Sequence, residues 1–514
     1  MSFGRIRMTG LAVAAGLGIA GLAALPAGAT AAAKVRVTIT GVDSTGTKVG
    51  VLGSIYPVAG GTTLLEPGDA ARIRPGTYWV GASVPTISQH VTVRQTLVMR
   101  KVTIRRSGAV TLSATAGSPV RLTLTGATAT GTNDFLEACI NGVFVSGAAA
   151  PAGSLYAVPV SARSMQISYA TTWQGTSASY AMAGRASGGI PAKLSRSVSP
   201  ADMAKVNMVL YGGDEVGYQS TSLQADGKGC VVPGLGLQES PAPGSAPLYL
   251  TPGRWTPMAN SLAESLGRMH RYLAGHSYTD RFGSAVAGPE ATFPGLANPG
   301  RLSYLADGSL FADPVQGKAL LCTVCAKFRF ALRRGTRTIA STGWTEIGSG
   351  VPFQPALRTA GWYTLQVAGS RNSGSGPTPA GLLSRDVSVR WHFFVSHPLS
   401  AARPLAASVT RYRPLGLNID NQAVAGSTTK LAISVARARG GYLNGTGYNV
   451  KTIAVQASFD GGKTWHTLDL TRHGSGWLAT VHDPSSGFVT LRSTVTDGRG
   501  DSTMQTIDKA YGIG

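Results

Sequence analysis

The chain has 514 residues, 43% apolar and 14% charged, with 67 glycines and a formal net charge of +22. Apolar residues in periodic runs exclude a disordered chain, and abundant glycine with sparse charge argues against a helical bundle. The basic excess favours anionic partners such as cell-wall or surface polymers, but the Lys and Arg residues are scattered and no nucleic-acid module accompanies them, so no specific nucleic acid is expected.

The chain opens on Arg5 and Arg7, then an apolar stretch from Leu11 to Leu25 and small residues around Ala27-Gly28-Ala29. This pattern predicts a secretory signal peptide over 1–29. The run is shorter than the roughly 20 residues that a spanning helix needs, and no later segment supplies one, so no membrane span is expected. The expected location is secreted, extracellular or cell-wall associated. About three to five domains follow from the length at ~100–150 residues each.

Period-two alternation recurs from there on. It is seen in Lys34–Thr40, Lys101–Arg105, Val120–Leu124, Tyr363–Val367, Val387–Trp391 and Ile453–Ala457. Such segments bury one face and wet the other, as antiparallel sheets do. Turn signals at Arg74-Pro75-Gly76, Asp307-Gly308, Asp460-Gly461-Gly462 and Asp497-Gly498 separate them. The expected fold class is all-β: several β-sandwich domains, prealbumin-like and immunoglobulin-like, in series with a few short connecting helices. The helix candidates are Ser199-Pro200-Ala201-Asp202 running into Val206, and Asn260–Leu273. Gly/Pro-rich punctuation places domains at 34–125, 134–300, 301–397 and 404–514. The densest basic cluster, Arg329, Arg333, Arg334 and Arg337, is interleaved with Phe328 and Phe330.

Four cysteines in an exported chain predict disulfides, with three possible connectivities. Cys139 is expected to pair with Cys230, and Cys322 with Cys325. In an extended strand the last two would stand about 10 Å apart, so their bond requires a turn. The rival pairing would cross the expected boundary near 300 twice. Zinc would call for a second C-x-x-C, so no metal and no cofactor are expected.

The last stretch carries a family likeness. Arg411-Tyr412-Arg413-Pro414, Ser458–Trp465, Gly487–Arg492, Thr496–Gly500 and Gln505-Thr506-Ile507 resemble the C-terminal accessory β-domains of exported actinobacterial subtilisin-like serine proteases. Upstream, Arg74–Tyr78, Arg271–Gly275 and Trp391-His392-Phe393 resemble parts of the same accessory modules. The resemblance implies accessory domains without the catalytic domain that would precede them.

Asp43, His90 and Ser177 stand in the chain order of a subtilisin-like triad. Asp43-Ser44-Thr45-Gly46 and Gly175–Ser179 resemble the family's aspartate and serine motifs. His90 lacks the His-Gly-Thr helix start, Ala181 stands where the serine motif has Pro, and the intervening segment alternates like strands rather than a doubly wound core. Ser458-x-Asp460-x-Gly462-x-Thr464-Trp465 matches a sialidase-type Asp-box, which is a hairpin device when single. His270 and His276 are six residues apart, off one helical face, with no acid completing a metal motif. Arg499-Gly500-Asp501 lies in a turn rich in small polar residues. The expected function is a non-catalytic binding or interaction protein. The alternatives are a degenerate subtilisin-like hydrolase and a wall-associated structural protein held by charge.

Overall fold

In a computed structural model, the described residues are 33–57, 63–212, 220–225, 230, 235–236, 243–260, 264–266, 269–290, 296–298, 300–306, 308–316, 326–346, 351–371, 381–395, 403–404, 407–437 and 450–514. The expected signal segment 1–29, Cys322 and Cys325 lie outside them. The described residues form an all-β protein of several packed sheets.

The alternating segments become strands because alternation lets each side of a pleat meet a different environment. In Val35–Val42, Val37 and Ile39 point inward while their neighbours stay partly wet. The sheet containing this strand packs on one face of a seven-stranded sheet. Val80, Val84, Val98 and Leu112 share that interface. The other face of the seven-stranded sheet offers Trp79, Leu97, Met99 and Val120 to a third sheet, which answers with Leu136, Ile140 and Ile167. The third sheet in turn covers a fourth through Val206, Leu248, Trp255 and Tyr272. The N-terminal half is therefore a stack in which the two middle sheets are buried on both sides.

The boundary expected between 125 and 134 falls inside this stack. Leu155–Ala157 and Leu194–Val198 leave the second expected domain to pair with Val91–Ile104 and Ser118–Leu124 of the first. Likewise, Asp386–Val395 pairs with Ser502–Ile513, so one ten-stranded sheet runs through the boundary expected at 397–404. Its inner face meets a four-stranded sheet built on Ser408–Leu415 and Thr428–Arg437, with Trp391, Tyr412, Leu431 and Tyr511 in the shared core.

Two expected helices are corrected. Ser199-Pro200 starts only the single 3-10 turn Pro200–Asp202. Beyond it, Ala204, Val206, Met208 and Leu210 are buried with period two, so Ala204–Leu210 is a strand. Within Asn260–Leu273, Glu264–Leu266 and His270–Tyr272 are strands paired with Gly253–Asn260. Pairing to an existing sheet outweighs the weak helical spacing of the leucines. Gly244–Leu250, which begins inside a Pro-, Gly- and Ser-rich stretch, is also a strand and pairs with Ala204–Leu210.

One local device recurs three times. Tyr78 donates its hydroxyl hydrogen to the Arg74 carbonyl, Trp255 its indole hydrogen to Thr251, and Tyr363 its hydroxyl hydrogen to Thr359. Each aromatic sits two residues after a glycine (Gly76, Gly253, Gly361), is buried, and opens a strand. Each is a tyrosine-corner arrangement in which a buried ring ties down the loop leading to its strand.

One clamp fixes the segment that follows the stack to the C-terminal half, and a second joins the halves. In the first, the Arg411 guanidinium donates to the carbonyls of Gly288, Pro289 and Asp313, in a segment whose Val286 and Phe311 belong to the C-terminal core. The Asn421 amide donates to Gly212 and Gly283 while its oxygen accepts from the Ala285 amide.

Candidate functional site

Among the described residues, the ten-stranded sheet leaves one face uncovered, and the register fixes what lines it. Phe328, Phe330 and Leu332 turn into the core, so Lys327, Arg329, Ala331 and Arg333 turn out. Arg329 then lies in one row with Ala368, Ser388, Thr506, Arg492 and Gln456 on five successive neighbouring strands. The next row on this face runs Ala331, Gln366, Arg390, Met504, Thr494 and Ala454. A third runs Arg333, Thr364, His392, Ser502, Thr496 and Thr452. Six strands at ~4.8 Å spacing make a face about 24 Å wide. Of the expected basic cluster, Arg329 and Arg333 belong to it, while Arg334 turns aside to donate to the Ala360 carbonyl.

Aromatic rings rim this face. Trp362 stacks on His392 at 4.8 Å and meets Phe394 edge-on at 5.4 Å, and both Trp362 and Phe394 are exposed. Trp344 receives Arg329 at 4.7 Å and Lys327 at 5.5 Å. The cations Lys327, Arg329, Arg333, Arg390, Arg492 and Lys509 outnumber the nearby acids Asp386, Asp508 and Glu346.

A cleft of about 590 Å³ opens at one end of the face. Its floor includes Thr490, Arg492 and Thr506, and its walls Phe459, Trp465, Phe488, Asp508 and Lys509. The wall exists because the Asp-box holds its loop. The Asp460 carboxylate accepts from the backbone of Lys463 and Thr464 and from the Thr464 hydroxyl. These bonds, led by the Thr464 hydroxyl, hold its pKa well below the ordinary carboxylate range. Trp465 donates to the Gly462 carbonyl and lies beneath the Arg492 guanidinium, 3.7 Å from its ring centre. A second hollow of about 520 Å³ shares Phe459 and is lined by Lys430, His466, Asp469 and His482.

The residues of the expected alternatives lie apart. Asp43 is buried, which by itself would raise its pKa, but bonds from Thr45, Thr47 and Gly46 hold it below the ordinary value. His90 occupies left-handed backbone (φ 65°) at the tip of a hairpin. Ser177 sits in the exposed bend between Val160–Gln174 and Ser179–Ile190. No hydrogen bond joins the three among the described residues. His270 packs against Tyr272 and Tyr278, whereas His276 contacts the Ala274 carbonyl. Among the described residues no group of three or more His, Cys, Asp or Glu is placed to hold a metal. Asp501 is buried and accepts from the Phe394 amide, so the Arg499–Asp501 tripeptide is not displayed as a unit. Cys139 and Cys230 form a disulfide with Cα atoms 5.5 Å apart, joining the third sheet to the connection between Ser220–Ala225 and Leu235–Gly236 of the fourth. No described helix is long and apolar enough to cross a membrane.

No known protein family matches the sequence, and no curated protein does. Among solved structures, the Bacillus anthracis TIE protein is 10% identical, with 48% of this chain and 50% of that chain covered and a TM-score of 0.13. Salmonella alpha-2-macroglobulin reacted with methylamine is 10% identical, over 90% of this chain and 40% of that one, at 0.16. A streptococcal ancillary pilin is 9% identical, over 55% and 97%, at 0.12. The chain thus spans half or less of the first two. Likenesses this weak carry no argument about what it does.

Proposed function

We propose that this is a non-catalytic, extracellular binding protein whose uncovered ten-stranded face holds anionic surface or cell-wall polymers. The supporting observation is the register itself. It aligns Arg329, Arg333, Arg390 and Arg492 on one wet face, with Trp344, Trp362 and Phe394 beside them. A flat cationic surface with aromatic edges suits a long, repetitive polyanion, because each contact is weak and many act together. The signal segment expected over 1–29 fits this role.

The test is retention of the chain on a purified anionic wall polymer across a salt series. Exposed charges are screened within ~8 Å at physiological ionic strength, so retention falls steeply as salt rises. A triple variant Arg329→Glu, Arg333→Glu, Arg390→Glu loses retention at low salt. Retention by the triple variant equal to the parent's would refute the assignment of the face.

A further inference from the structure

We propose that the cleft at the end of the uncovered face is a discrete subsite for a carboxylate-bearing sugar residue, a hexuronate unit within a polymer. This rests on the reading of the face as a polyanion surface and adds a specific ligand class at one point on it.

The argument starts from Arg492. Its guanidinium lies flat over Trp465, and Trp465 is held in turn by its bond to the Gly462 carbonyl. Gly462 also lies close to the ring, since a Cβ there would come within 3.2 Å of the indole Cζ2. Trp465 therefore serves as a positioning residue, and its stacked geometry leaves the guanidinium edge for a planar acceptor. No carboxylate pairs with Arg492 among the described residues, and its buried Nε has no acceptor. A planar fork fixed in orientation matches a carboxylate in a way that a flexible ammonium does not.

The rest of the cleft selects against simpler anions. Asp508 and Asp386 line the same space. Asp386 is paired with Arg385 at 3.5 Å, and the remaining negative charge repels a doubly charged phosphate more than a singly charged carboxylate, while both carboxylates can accept hydrogen bonds from sugar hydroxyls. The Phe488 ring, with the Lys509 ammonium 4.6 Å from its centre, offers an apolar wall for the C–H face of a pyranose. A volume of about 590 Å³ falls within the ~300–1,000 Å³ of small-ligand sites. A charged group for the acid, acceptors for hydroxyls and an apolar wall together describe an acidic sugar.

The experiment is isothermal titration of the full chain at physiological salt with trigalacturonate and a hyaluronate tetrasaccharide. Maltotriose and inorganic phosphate are the comparison probes. Saturable one-site binding of at least one uronate probe is expected, at least tenfold tighter than maltotriose or phosphate. Arg492→Gln should weaken it about 10- to 100-fold, the scale of a lost charge-assisted pair. Arg492→Lys keeps the charge without the fork and should bind at least fivefold weaker. It also serves if the Gln variant does not fold. Failure of both uronates, equal binding of maltotriose or phosphate, or an Arg492→Lys chain that binds like the parent overturns the subsite. If polymer retention on the face persists in that case, the wider reading stands. If short uronates bind but the triple variant still retains polymer, the face reading falls and the subsite survives.

Discussion

Replacing Cys139 and Cys230 together by alanine removes a crosslink whose partners are 91 residues apart in sequence. Closing a loop of that length removes denatured-state entropy equivalent to about 4.6 kcal/mol at 25 °C in the chain-entropy picture. Both sulfurs are buried, so lost packing adds to the effect rather than offsetting it. For a cooperative unit of ~150–250 residues, each kcal/mol shifts Tm by roughly 2–4 °C. The variant should therefore unfold about 10–18 °C earlier. The double alanine variant isolates this bond, because a reductant would act on every disulfide of the chain. Thermal unfolding followed by near-ultraviolet circular dichroism is the assay. A Tm within ~3 °C of the parent would show that the loop is already confined in the denatured chain, and the entropic reasoning would fail.

Tyr78→Phe and Tyr363→Phe each leave a loop carbonyl without its donor and should each cost about 0.5–1.5 kcal/mol in urea unfolding. Equal stability would mean that water replaces the phenol at these corners. Arg411→Ala withdraws three carbonyl contacts that hold the segment after Phe282 to Ser408–Leu415. Limited proteolysis should then cut between residues 283 and 313 faster than in the parent, and an unchanged pattern would deny the clamp. Burial pushes Glu137 up to about 7 from 4.5. The folded chain thus binds this proton more tightly than the unfolded one, so the group's contribution to stability falls as pH rises between those values. Glu137→Gln should accordingly melt higher than the parent at pH 7.5 and equal it below pH 4.5. A constant difference across that range would exclude titration of Glu137 as the cause.

Strands were legible wherever both faces had distinct partners. Val387–Trp391 and Ile453–Ala457 read directly, because alternation is a local property and each strand extends only a few residues further. The Asp-box turn was legible for the same reason, since Asp460 bonds residues three and four ahead. The sharing of sheets was not legible. Nothing near Leu155 or Leu194 indicates that their neighbours lie at Gln95 and Val120. The candidate site fell between these cases. Lys327–Arg333 shows by itself which residues turn outward, but bringing Arg329 into line with Arg492 takes four further strands in register. The corner motif was present in the sequence as glycine, any residue, aromatic. It is not distinctive there, because the residue before its glycine varies between Pro and Ala, and only the hydrogen bond four residues back unifies the three.

The place of Ser502–Ile513 in the middle of the ten-stranded sheet has a consequence for how the chain is made. Asp386–Val395 is complete more than a hundred residues before its partner, and until then its Val387–His392 edge has open backbone donors and acceptors. An open, apolar-backed edge is a template for any passing strand. Closing the sheet must await a contact of high sequence separation, a slow event for a β-rich chain. The most dangerous interval in the life of this protein is therefore the time between emergence of Val395 and arrival of Ile513. A chain cut short before Ser502 should accumulate as aggregate rather than as a smaller folded protein.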